Sequence, residues 1–222
     1  MSIPRVLEPE VMDTEQDAVE YDSMDFTEVN SGFAEKAVAL APKTGVLLDL
    51  GTGTARIPIL MLQKAGKKEL GVHAVDLSAE MLKLARKNID AAGLSSRVVV
   101  HLLDAKELPF DEESYDMVIS NSIVHHIPEP LGFFKEVRRV VKKGGGIFIM
   151  DLLRPESMDQ VERLVRMYAG DDNQYQQKLF RDSLCAALSI PEVKELVEAA
   201  GIHHVSISLA SDRHWSIERA SR

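Results

Sequence analysis

Cysteine is almost absent: Cys185 stands alone in 222 residues. A single thiol closes no intramolecular disulfide, and it lacks the Cys or His spacing of a zinc site, so neither a redox framework nor a metal is expected. Long apolar runs are missing too. No stretch of about 18 uncharged apolar residues occurs, and the opening MSIPRVLEPEVMDTEQDAVEYD is acidic where a signal peptide would be basic and then apolar. The expectation is a cytoplasmic protein without membrane association, as a monomer or homodimer. Positive charge is in deficit, with 26 Lys plus Arg against 35 Asp plus Glu, a net of −9, and no basic block. A phosphate backbone would be repelled on average, which disfavours a nucleic-acid partner and favours a small-molecule or peptide one.

What is present suits one compact domain: 45% hydrophobic and 27% charged residues. Residues 1–42 lack strand-like runs. Residues Glu15 to Tyr21 and Phe26 to Leu40 instead carry apolar groups at helical spacing, and Ala41-Pro42 ends the second helix. This predicts an N-terminal helical lid segment, followed by a single domain over 43–222. From Gly45 the pattern alternates: VLLDL, a glycine turn, a helix to about Lys64, GVHAVDL, and a helix from Ser78 to Ala92. RVVVHLLD, YDMVISN, a helix from about Glu129 to Val141, and GIFIMDLL follow. Apolar strands alternating with amphipathic helices predict a doubly wound α/β fold with a mostly parallel sheet. A helical insertion is expected over about 156–188, then a helix opened by Pro191 and a terminal hairpin from HHVSISLA and HWSIERA.

The first strand leads through Asp49-Leu-Gly51-Thr52-Gly53-Thr-Ala into a helix. Glycines there let backbone approach a ligand, and a helix N-terminus presents unpaired N–H groups. The plainer alternative is a tight strand-to-helix turn, because Arg56 stands where a dinucleotide fingerprint has its third glycine. Asp76 ends the next strand a little over 20 residues on, where a carboxylate can accept both hydroxyls of a ribose. Otherwise it merely caps the following helix, for which Ser78 is already available.

These segments resemble class I S-adenosylmethionine-dependent methyltransferases. The resemblance runs from Gly45 to Leu153 through LLDLGTGTARIP, VHAVDLSAEML, LLDAKELPF, YDMVISNSIVHHIPEP and VRRVVKKGGGIFIMDLLRP. It implies a Rossmann-like, seven-stranded, mostly parallel sheet with a reversed last strand and a helical cap. It further implies S-adenosylmethionine as cofactor, S-adenosylhomocysteine as product, and a small-molecule methyl acceptor. By the same resemblance Asp49, Gly51, Thr52 and Gly53 contact the methionine part, and Asp76 the ribose. Leu77 and Met81 pack on adenine unless they are ordinary core positions. Asp104 and Ala105 meet its amino edge and ring, and Asn121 begins the segment under the methyl group.

That segment, Asn121 to Pro128, is the candidate reaction centre. Methyl transfer from a sulfonium is an in-line displacement, so the protein must align the partners and exclude water. A histidine can take the acceptor's proton near neutral pH. His125 is favoured over His126 for that role, although either ring can simply bond backbone. Arg154, Arg181 and Arg213 are candidates for gripping an anionic acceptor, or else form surface ion pairs. Tyr21, with Phe26 and Phe33, is a candidate lid over the cofactor. The Asn-Pro-Pro-Tyr, Pro-Cys and arsenite-type cysteine motifs are missing, which leaves small-molecule methylation favoured and a quinone acceptor unfavoured. The alternatives are a non-catalytic nucleotide-binding or regulatory module on the same fold, and an NAD-linked oxidoreductase, which Arg56 disfavours.

Overall fold

Strands covered on both faces read as unbroken apolar runs, and the centre of the molecule is made of them. The computed structural model describes residues 3–8, 14–23 and 26–222. Its β1 (Thr44–Leu50), β4 (Tyr115–Asn121) and β5 (Val141–Leu152) are buried over most of their length. β2 (Glu69–Asp76) and β3 (Val98–Leu102) extend one side, β6 (Ser206–Leu209) and β7 (His214–Arg219) the other. The seven strands lie in the order β3-β2-β1-β4-β5-β7-β6. Pairings from β3 through β5 are parallel, and β7 runs antiparallel to both neighbours. The seven-stranded, mostly parallel sheet with a reversed last strand is therefore present.

The terminal hairpin closes the sheet with its strands crossed over. Its second strand, β7, inserts beside β5, leaving four-residue β6 as a short edge that offers little backbone for unwanted pairing. Consequently Trp215, in the second strand of that hairpin, is fully buried on β7. His203 and His204, read as strand residues, lie in the loop before β6.

Helices cover both faces. α2 (Thr27–Leu40), α3 (Arg56–Lys64) and α4 (Ala79–Ala91) pack Phe33, Met61 and Leu82 against one face, where Phe33 stacks on Phe148 at 4.4 Å. Phe33 is thus core. α5 (Leu131–Val140) and α8 (Ile190–Ala199) cover the other face with Phe133, Phe134 and Val193. α6 (Met158–Tyr168) and α7 (Gln174–Ala186) form a smaller cluster of Val161, Leu164 and Leu184, against which Ile3 packs. α1 (Glu15–Ser23) contacts α4.

Two boundaries differ from the sequence reading. α5 begins at Leu131 rather than near Glu129, because Pro128 and Pro130 lack N–H groups and bias the residues before them to extended backbone. β5 begins at Val141, directly after α5, but its pairing with β4 is irregular between Val141 and Gly146. The run Gly144-Gly145-Gly146 hid that start, since glycines carry no apolar pattern. No helix among the described residues is long and apolar enough to cross a membrane.

Candidate active site

In an open α/β sheet a crevice forms where neighbouring strands connect in opposite directions, here between β1 and β4. Between β1 and α3 the chain turns through Gly51 (φ +75°) and Gly53 (φ +55°). A Cβ at Gly51 would lie 1.9 Å from Ile123 Cγ2 in the loop after β4. Close packing by Ile123, beyond any ligand, therefore requires glycine there. The Gly53 N–H donates to Asp76 Oδ2 at 2.8 Å, and the Ser78 N–H to Oδ1 at 2.9 Å. The Ser78 hydroxyl caps α4 by accepting from Met81 N. Asp76 thus ties the glycine turn to the start of α4, and each of its oxygens retains room for a further hydrogen bond. Burial raises its carboxyl above the ordinary value despite those bonds.

Asp49 ends β1 almost fully buried, at 1% exposure. Burial pushes its carboxyl up to about 7, and the Asp76 charge adds to the push. Its Oδ2 has no hydrogen-bond partner among the described residues. A buried acceptor left unsatisfied is costly and calls for a ligand's donor or a proton.

A cleft opens at the carboxyl ends of β1 to β4, where open α/β sheets bind ligands. Tyr21, Gly51, Gly53, Asp76, Leu77, Met81, Asp104, Ala105, Asn121 and His126 line it. Leu77 is 41% exposed there, more than a core position would be, whereas Met81 is buried on α4. Asp104 accepts from Lys106 N at 2.8 Å. Asp49, Thr52 and His125 lie behind the wall rather than on it. Tyr21 reaches the glycine turn because Arg56 bonds the Asp22 carbonyl and pairs with its carboxylate at 3.5 Å, fastening the end of α1 over α3. The residue that breaks the dinucleotide fingerprint is the one that holds α1 in place.

The 3₁₀ turn Val124–His126 points its two rings differently. His125 is buried at 4% exposure, its Nδ1 2.6 Å from Asp151 Oδ1 and its Nε2 3.5 Å from Glu8 Oε1. Burial alone would lower its imidazolium, but Asp151 and Glu8 outweigh it and hold the group above its ordinary value. Asp151, at the end of β5, also accepts from Val124 N and Leu152 N at 2.6 Å each. Opposing its burial, these partners hold it below the ordinary carboxylate value. His126 faces the cleft, with Nδ1 3.1 Å from Glu8 Oε1. Of the two rings, His126 is the one that lines the cleft.

Arg5 fixes this turn from the N-terminal segment. Its guanidinium donates to the carbonyls of Ala186, Pro128, His125 and Ile127 at 2.6 to 3.1 Å. Arg5, Glu8 and Asp151 were not among the residues singled out in the sequence. A lone Arg and Glu in an acidic N-terminus carry no spacing signal, but an acid closing the apolar run IFIMDLL was legible as an oddity.

The three arginines considered for an anionic acceptor do not come to the cleft. Arg154 is buried against the Ala187 carbonyl and Glu192, Arg181 forks onto Glu162, and Arg213 stacks 3.3 Å from the Tyr168 ring centroid.

A methyltransferase-domain family model matches residues 42–201. The chain is 33% identical over 163 residues to Biotin biosynthesis bifunctional protein BioHC of Teredinibacter turnerae, covering 72% of this chain but 27% of that protein. It is 32% identical over 168 residues to demethylmenaquinone methyltransferase of Bacillus subtilis, covering 71% of each. In fold it matches the crystal structure of a SAM-dependent methyltransferase from Aquifex aeolicus, with a TM-score of 0.68 at 21% identity over 94% of this chain and 99% of that one.

Proposed function

The chain belongs to the methyltransferase-domain family of class I S-adenosylmethionine-dependent proteins, and on that footing we propose that it methylates a small, non-nucleic-acid acceptor in the cleft at the ends of β1 to β4. The observation that carries this is the unsatisfied, buried Asp49 oxygen beside a cleft that already presents the Asp76 carboxylate. Those residues fit the cofactor. Asp76 would accept the ribose hydroxyls, Leu77, Met81 and Ala105 would cover adenine, and Asp104 would meet its amino edge. Asp49, behind the Gly51–Gly53 turn, would balance the cationic methionyl end.

Bound there, S-adenosylmethionine supplies a methyl carbon made electrophilic by its sulfonium. The chain's part is alignment and exclusion of water. Asn121, Ile123 and His126 wall the side on which an acceptor approaches, and Tyr21 covers the glycine turn. An alcohol or ammonium acceptor must also release a proton. His126 is the ionisable group presented there, with Glu8 and His125 behind it.

The net charge of −9 and the absence of a basic block speak for a small acceptor rather than a nucleic acid. Incubating the purified protein with methyl-labelled S-adenosylmethionine and fractionated metabolite pools tests the reading. Label should pass to a small molecule in a cleft-dependent way. Transfer only to nucleic acid, or cofactor binding without transfer to any pool, would sink it.

A further inference from the structure

We propose that Glu8, His125 and His126 together bind a divalent transition-metal ion, zinc by preference, in the wall of the cleft. Their ligand atoms lie within 4.8 Å of one another. Glu8 Oε1 stands 3.5 Å from His125 Nε2 and 3.1 Å from His126 Nδ1. Two ligands bound to one zinc at roughly 2.0 Å in a tetrahedral arrangement are about 3.3 Å apart, a value that the two Glu8 separations bracket.

The burial of the groups is the second observation. Glu8 Oε1 and His126 Nδ1 are buried 3.1 Å apart, and neither has another hydrogen-bond partner among the described residues. Without an ion they pair with each other, and the same two atoms would face an ion held between them. The Glu8 side chain is only 8% exposed, and a carboxylate oxygen so placed needs a cation or a donor.

Supporting bonds leave free the atoms a metal would use. With the Nδ1–H of His125 donating to Asp151 Oδ1, the neutral ring that a metal would bind carries its lone pair on Nε2, on the side of Glu8. Ser183 Oγ donates to Glu8 Oε2 at 3.2 Å, leaving Oε1. Arg5 clamps the backbone of the turn that carries both histidines. Two imidazoles and a carboxylate form the donor set of zinc sites that keep a fourth position open, and without thiolate the site disfavours soft ions. Because His126 lines the cleft, that position would open towards a bound acceptor.

The test is calorimetric titration of the full, chelator-stripped protein with Zn²⁺, and absorption of the Co²⁺-loaded form, whose visible bands report a tetrahedral site. The expected result is one ion per chain. His126→Gln and Glu8→Gln should each weaken binding at least about 100-fold. Asp151→Asn should weaken it 10- to 100-fold as the loss of an orienting partner. Replacing His203 and His204 with Gln controls for surface histidines and should change nothing. His126 is the most exposed of the three, so a folded His126→Gln protein is the decisive sample. No stoichiometric binding to wild type, or wild-type affinity in folded His126→Gln and Glu8→Gln, overturns the proposal. Loss of binding with the His203 and His204 changes instead would place the ion elsewhere and overturn it equally.

Discussion

The two ends of the cleft differ in how far along the chain their parts lie from one another. At the ribose end, Gly53 and Asp76 are 23 positions apart and joined by a single βα unit. At the histidine end, Arg5 reaches across 122 positions to Ile127, and Ser183 across 175 to Glu8. The first end is set by local turns and helix starts, whose constraints are written in neighbouring residues. The second is a tertiary product, formed only when the N-terminal segment lies across α7 and the 3₁₀ turn. Each end should therefore fail in its own way when disturbed.

The largest effect should come from Gly51→Val. Its side chain would collide with Ile123 and would have to adopt a positive φ, two penalties of roughly 1 to 3 kcal/mol each. Denaturant unfolding should show a loss of about 4 kcal/mol, with cofactor binding gone. Changing Ile123 to Ala in a Gly51→Ala chain removes Cγ2 and Cδ1 but keeps Cβ at 2.8 Å, so it should recover part of the collision and leave the part owed to φ. A Gly51→Val protein of normal stability that binds cofactor would refute the geometry of this turn.

Asp151→Ala probes the other end. It leaves the buried His125 ring and the Val124 N–H without their acceptor, at a cost of about 3 kcal/mol. S-adenosylmethionine affinity, measured by calorimetry on the folded variant, should move little. An equal loss of stability and of cofactor affinity would mean that the two ends are one cooperative unit and that the comparison fails.

How much could be read from the sequence follows the same division. The sheet was legible because buried parallel strands are continuous apolar runs, and the Gly51 to Asp76 unit because turn glycines and a strand-ending acid keep fixed local spacing. The histidine pair was visible as a pair, but the sequence could not show that His125 is buried between Asp151 and Glu8 while His126 faces the cleft. Arg154, Arg181 and Arg213 looked available because a sequence does not show Glu192, Glu162 and Tyr168 beside them. The residues that matter at a tertiary site are named by their neighbours, and those neighbours are far away in the chain.

Asp76→Ala sharpens the contrast at the ribose end. The carboxylate holds the Gly53 and Ser78 N–H groups and, in the proposed complex, two ribose hydroxyls. Hydrogen bonds to a charged group are worth roughly 1.5 to 3 kcal/mol. Affinity for S-adenosylmethionine should fall by that amount. The fold should survive, because Ser78 still caps α4. Unchanged affinity in a protein with a normal thermal transition would remove Asp76 from the ribose.

The smallest effect concerns Asp49 and is read in pH. Its carboxyl ordinarily titrates at 3.8 and is pushed up to about 7 in the fold. Between those values the folded chain holds a proton that the unfolded chain has lost, so this residue's contribution to stability falls as pH rises from 3.8 to about 7 and then levels. A cationic ligand end reverses the preference, since it favours the ionised form. If S-adenosylmethionine binds only when Asp49 is charged, the charged fraction sets affinity, which should rise about tenfold between roughly pH 6 and pH 8, or about 1.4 kcal/mol. Asp49→Asn keeps the shape, cannot ionise, and should flatten the profile. A wild-type affinity that is level across this range would mean that the ligand's charge is met elsewhere, and the unsatisfied Asp49 oxygen would then belong to a carboxylic acid that keeps its proton throughout.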